Sequence, residues 1–135
     1  MTSKEIEVVK AFIRAINDGN ITELSKLMTK DHTFVDSGGR KERGRAKMTS
    51  GWKDYFRMFP DFRIETNEFF QSGNRIAFFG STSATYNGKR GLVPENRVGG
   101  PAAWRATVEN GQIKTWQVYA DWTEDTKTIE ADKNI

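Results

Sequence analysis

The chain has 135 residues, 21 basic against 18 acidic side chains, a net charge of +3, one histidine and no cysteine. That length suits one domain with one buried core; the absence of cysteine excludes a disulfide frame and a thiol nucleophile, and a single histidine argues against a histidine-rich metal site. No long apolar run marks a transmembrane helix, and the first residues lack the apolar stretch of a signal peptide, so the expected location is cytoplasmic, with no membrane partner.

Thr2-Ser-Lys-Glu5 fits a capping box with Thr2 as N-cap and Glu5 three residues on. Ile6, Val9, Phe12, Ile13 and Ile16 recur at helical spacing, which predicts a helix over 3–18. Gly19 ends it, and Asn20 with Glu23 starts a second, short helix reaching about Met28. His32-Thr-Phe-Val-Asp36 reads as a strand with His32, Phe34 and Asp36 on one face. As a lone histidine at a strand start, His32 reads as a hydrogen-bonded surface group rather than a base. Ser37-Gly-Gly39 ends that strand. The run 40–47 is rich in Arg and Lys; a solvated loop explains it better than a nucleic-acid patch, since charge runs face water.

A third helix is predicted over 44–59, with Met48, Trp52, Tyr55, Phe56 and Phe59 as its apolar stripe, and Pro60 ends it. Strands follow over 62–69 and 75–86, turning at Ser72-Gly-Asn74. The glycine-rich stretch 87–100 reads as a loop long enough to be a flap, mobile over the mouth of a pocket, with a floppy strand connection as the alternative. It contains no phosphate-binding glycine motif. Asn110-Gly111 is a strong hairpin turn, joining a strand over 101–108 to an aromatic-rich strand over 112–122. The polar tail 124–135 lacks periodicity and is expected to fray. Three helices followed by a largely antiparallel sheet make an α+β fold, a curved sheet wrapped around the N-terminal helices, enclosing a cone-shaped pocket.

These features resemble the SnoaL-like polyketide cyclase and ketosteroid isomerase-like proteins of the nuclear transport factor two-like, or cystatin-like, fold. The resemblance runs over 1–123 and rests on Phe34-Val-Asp-Ser-Gly-Gly39, Gly44-Arg45, Phe59-Pro-Asp-Phe62, the Asn110-Gly111 turn and Trp116-Gln-Val-Tyr-Ala-Asp121. It implies cofactor-independent cyclase, isomerase or hydratase chemistry on a hydrophobic, oxygenated small molecule, or a non-catalytic binder on the same fold. Asp121 and Asp36 match acids of the family's pocket and are the candidate catalytic pair. Neither a metal nor a cofactor is called for, because enolisation needs only a proton shuttle and a stabilised oxygen.

The alternative for Asp36 is capping of the Ser37-Gly-Gly turn, and for Asp121 the exit from the last strand. Phe34, Trp52, Phe56, Tyr86, Trp104 and Tyr119 are the candidate lining, with ordinary core as the alternative for each. Strand alternation puts Gln117, Tyr119 and Asp121 on one face. Trp116 and Trp122 then fall on the other, toward solvent or a second copy of the chain, so a homodimer through the outer sheet face is expected.

Overall fold

Ser3 caps the first helix, one residue later than the capping-box reading: its Oγ accepts the Ile6 N–H at 3.1 Å. In the computed structural model, which describes residues 2–135, α1 spans Lys4–Asn17 and buries Val9, Phe12, Ile13 and Ile16. Gly19 takes a left-handed φ of 62°, and Asn20 caps α2 (Ile21–Leu27) by accepting the Glu23 N–H at 3.1 Å. That helix runs straight into β1 (Met28–Val35), which therefore starts four residues before the predicted strand. A short strand, β2 (Lys41–Arg43), folds back on β1, and α3 (Arg45–Met58) follows with Met48 and Trp52 buried.

The remaining strands are β3 (Arg63–Ser72), β4 (Arg75–Thr85), β5 (Arg97–Glu109) and β6 (Gln112–Tyr119). They form one six-stranded sheet in the order β2-β1-β6-β5-β4-β3. Among the described residues only β1 and β6 pair parallel; every other pairing is antiparallel. The architecture is the α+β arrangement predicted: a curved sheet with helices on its concave side. Two glycines allow that curvature. A Cβ on Gly80 would sit 1.8 Å from the Glu65 carbonyl, where β3 bulges between Thr66 and Glu68. A Cβ on Gly99 would sit 2.2 Å from the Thr82 carbonyl, and its φ of 130° is one that side-chain-bearing residues rarely adopt. Asn17 ties α1 to the sheet through both backbone groups of Ile64, at 3.0 and 2.8 Å. Between the layers, Phe12 meets Trp116 at 4.6 Å and Phe78 stacks on Trp104 at 5.2 Å.

The β5–β6 hairpin turns at Asn110 (φ 51°) and Gly111 (φ 77°), as the Asn-Gly signal requires. Its register then slips. Val108 faces Ile113 while Thr107 faces Thr115, so Lys114 is an extra residue in β6. A one-residue bulge flips every later side chain to the opposite face. Ile113, Trp116 and Val118 are all buried, whereas Tyr119 is 46% exposed.

Two further stretches differ from the sequence reading. Residues 123–133 form a helix, α4 (Thr123–Lys133), instead of a frayed tail. Polar contacts hold it in place of an apolar stripe. The Asp132 carboxylate, 1% exposed, accepts the N–H groups of Lys89 (2.7 Å) and Arg90 (2.8 Å) and the Asn96 amide (3.0 Å). Those same contacts order the stretch read as a flap. It is shortened to 86–96 by the early start of β5 and contains a single helical turn at Pro94–Asn96. Gly88 is required there, since a Cβ would lie 2.0 Å from Asp132 Oδ2. No helix among the described residues is long and apolar enough to cross a membrane.

Candidate functional site

The helices and the concave face of the sheet enclose a cavity of about 730 Å³. That is within the range of pockets that take drug-sized ligands. Its walls are mostly apolar because each element turns its buried face inward: Phe34 from β1, Met48 and Trp52 from α3, Ile64 from β3, Val118 from β6. Trp52, Trp104, Trp116 and Trp122 all line it, and these are the four tryptophans of the chain. The polar groups are fewer and come from the loop after β1, β2, α3, β4 and α4.

Two side chains that carry hydrogen-bond donors, Trp52 and Tyr55, line the cavity from α3. Trp52 is 8% exposed, and its indole N–H is buried with no protein partner. The Tyr55 ring packs edge-on against Trp52 at 5.8 Å and against Phe62 at 5.0 Å. Burial, and then the nearby Asp125 charge, push the Tyr55 hydroxyl far above its ordinary pKa, so it stays protonated. Asp125, from the first turn of α4, is half-buried beside it. Its Oδ1 accepts one long bond, 3.3 Å, from the Gly99 N–H. Burial raises the Asp125 carboxyl above its ordinary range; the Gly99 bond opposes this, and the Asp121 charge adds to it. Among the described residues no three histidine, aspartate or glutamate side chains come together to hold a metal ion.

The sequence-predicted residues divide between cavity and surface. Phe34, Asp36, Trp52 and Trp104 line the cavity. Asp36 also caps its turn, Oδ1 accepting the Gly38 and Arg40 N–H groups at 2.9 Å each. Asp121 is on the outside. Its Oδ1 accepts the Thr123 hydroxyl (2.6 Å) and N–H (2.9 Å), and those bonds hold its carboxyl below the ordinary range. Tyr119 is outside with it, and the Lys114 bulge is the reason for both. By the same inversion Trp116 and Trp122, expected on the outer face, are cavity walls. Phe56 and Tyr86 form a second layer: Phe56 packs on Trp52 at 5.5 Å and Tyr86 on Phe59 at 5.6 Å, but neither lines the cavity. His32 is fully buried rather than on the surface, with Nδ1 2.8 Å from the Ile113 carbonyl.

The SnoaL-like domain family matches residues 9–116, most of the chain. The chain belongs to the SnoaL-like family. Solved structures bear out the fold. A proposed SnoaL-like polyketide cyclase from Shewanella denitrificans OS-217 superposes with a TM-score of 0.80 at 14% identity, covering 96% of this chain and 99% of its own. Another from Jannaschia sp. CCS1 gives 0.80 at 16% identity, over 95% and 92% of the two chains. An epoxide hydrolase from M. tuberculosis, named as similar to the LEH type, gives 0.79 at 16% identity, over 98% and 94%. Among curated proteins no sequence matches.

Sequence reasoning missed Asp125, Trp122 as a wall, and the closure of this SnoaL-like cavity by α4. Asp125 lies in a stretch without apolar periodicity. The one cue to order there is Asp125 and Glu124 opening a helix whose positive end favours acids.

Proposed function

We propose that this SnoaL-like protein binds a hydrophobic, oxygenated small molecule in the cone, and that the chain works as a homodimer paired through its outer sheet face. The observation that carries the binding reading is the cavity itself: about 730 Å³ of mostly apolar space lined by Trp52, whose buried indole N–H has no protein partner. A buried donor without a partner costs free energy. A ligand carbonyl or hydroxyl oxygen at Trp52 would recover it, and the Tyr55 hydroxyl is a second donor on the same helix. Aromatic walls then bury the rest of the molecule.

Because all four tryptophans line the cavity, their emission is a direct readout. Titration with a panel of apolar aryl ketones should give saturable changes at micromolar concentrations, lost in Trp52→Phe and Trp104→Ala. Unchanged emission across the panel would end this reading.

A catalytic role is the second reading, and Asp125 is the observation that favours it. A carboxyl pushed up by burial beside a hydroxyl that stays protonated can exchange a proton with a carbon acid while the hydroxyl steadies the developing oxyanion. This moves the acid/base role expected of Asp121 and Asp36 to Asp125. Asp125→Asn should then abolish turnover and leave the binding of an uncharged ketone intact, whereas Asp121→Asn should leave both unchanged.

A further inference from the structure

We infer that the molecule held in the cone is an amphiphilic cation: an apolar body carrying a hydrogen-bond-accepting oxygen and a protonated amine, the amine pairing with Asp125. This rests on the binding reading above and adds the ligand's charge and orientation. The chain is net basic, yet the charged side chains lining the cavity are mostly acidic: Asp36, Glu42, Asp54 and Asp125 against Lys47 alone. Lys47 is 2.6 Å from Glu42, and Asp54 pairs with Arg57 at 2.6 Å. Asp36 and Asp125 have no ion-pair partner among the described residues. Asp36 has two backbone N–H groups on Oδ1, whereas Asp125 has the single long bond from Gly99 and the repulsion of Asp121.

A half-buried carboxylate so poorly compensated favours a cation beside it and repels an anion. The surroundings agree. Trp122 from the α4 junction, Tyr55 from α3 and the other tryptophans line the same cavity, and aromatic rings attract cations most strongly where water is excluded. Trp52 fixes the other end. Its buried N–H can be satisfied only by an acceptor, which an ammonium group cannot supply. The two anchors therefore demand different groups on one molecule, an accepting oxygen for Trp52 and a protonated nitrogen for Asp125.

The test is calorimetric titration of the intact protein with three probes at neutral pH: valerophenone, the same ketone with a terminal dimethylamino group, and the same ketone with a terminal carboxylate. The dimethylamino ketone should bind about tenfold tighter than valerophenone, the scale of one partly desolvated ion pair with aromatic support. The carboxylate should bind more weakly than either. Asp125→Asn should erase the preference for the amine. Glu124→Gln, which removes a like charge from the exposed face of the same helix, should retain it. Trp52→Phe should weaken both ketones together.

Equal binding of valerophenone and its dimethylamino derivative would overturn the inference and leave the cavity reading standing. Failure of all three probes to bind would overturn both. A preference that survives Asp125→Asn would show that Asp125 is not the anchor.

Discussion

Asp125 and Asp121 are four residues apart, yet their carboxyls shift in opposite directions, because one is half-buried with a single long bond and the other is exposed with two short ones. The raised Asp125 value means that the folded state holds its proton more tightly than the unfolded state. Stability therefore falls as pH rises from the ordinary carboxylate value through the folded one, and stays lower above it. Asp125→Asn should melt at a higher temperature than the wild type at pH 7, with the gain vanishing in acid. A scan showing no gain at neutral pH would contradict the assigned environment.

His32 shifts the other way. Burial lowers its pKa; the Ile113 carbonyl and the Asp31 charge offset this only in part. The unfolded chain then takes up a proton first, so stability should fall as pH drops below about 6.5 toward the lower folded value. His32→Gln should flatten that slope in urea melts at pH 5 and pH 7. An identical slope would rule out His32 as its source. The sequence placed His32 and Phe34 on one strand face correctly, but a lone histidine carries no periodic signal of burial. Its depth was set by Phe12, 6.1 Å away on a different element.

Among the elements, those read well from sequence were the ones with a local signal. The apolar stripes of α1 and α3, the Asn20 cap and the Asn110-Gly111 turn each state their own conformation. The candidate site was read poorly because it depends on two features without a local signal. The first is the Lys114 bulge, which reverses β6 and exchanges Gln117, Tyr119 and Asp121 for Trp116, Val118 and Trp122. The second is α4, which docks through one buried carboxylate. Asp132→Ala would leave two backbone N–H groups without their acceptor, take one of three acceptors from the Asn96 amide, and remove the carboxylate 3.5 Å from the Arg90 guanidinium. Losing such a cluster should lower Tm on the order of 5–10 °C. Because α4 carries Trp122, Asp125 and Ile129 into the cavity wall, amide exchange should rise along α4 and 86–96 before it rises elsewhere. Uniform exchange across the chain would mean that α4 is not separately latched.

For the molecule as a whole, the concave side of the sheet is spent on the cavity and the convex side is not covered. Its apolar content differs from the sequence expectation. The tryptophans are inside, and the convex face instead carries Phe79, Ala103 and Tyr119 in one cross-strand row. Phe70 lies beside Phe79 at 5.9 Å, with Ala77 next to it in register. Phe70 is 55% exposed, Phe79 42% and Tyr119 46%, a contiguous apolar strip of a kind that usually meets a partner. A two-fold pairing would bring each strip onto its copy, and burying the exposed half of each large aromatic would contribute about 1 kcal/mol before the cost of association. Sedimentation at micromolar concentration should give about twice the 15.4 kDa chain mass. Phe79→Glu should return the protein to a monomer, because pairing would then bury a carboxylate against an aromatic strip. Its folded circular-dichroism spectrum and its ligand titration should be retained, since Phe79 points away from the cavity. A wild-type monomer at those concentrations, or a Phe79→Glu variant that still sediments as a dimer, would place the interface elsewhere or remove it.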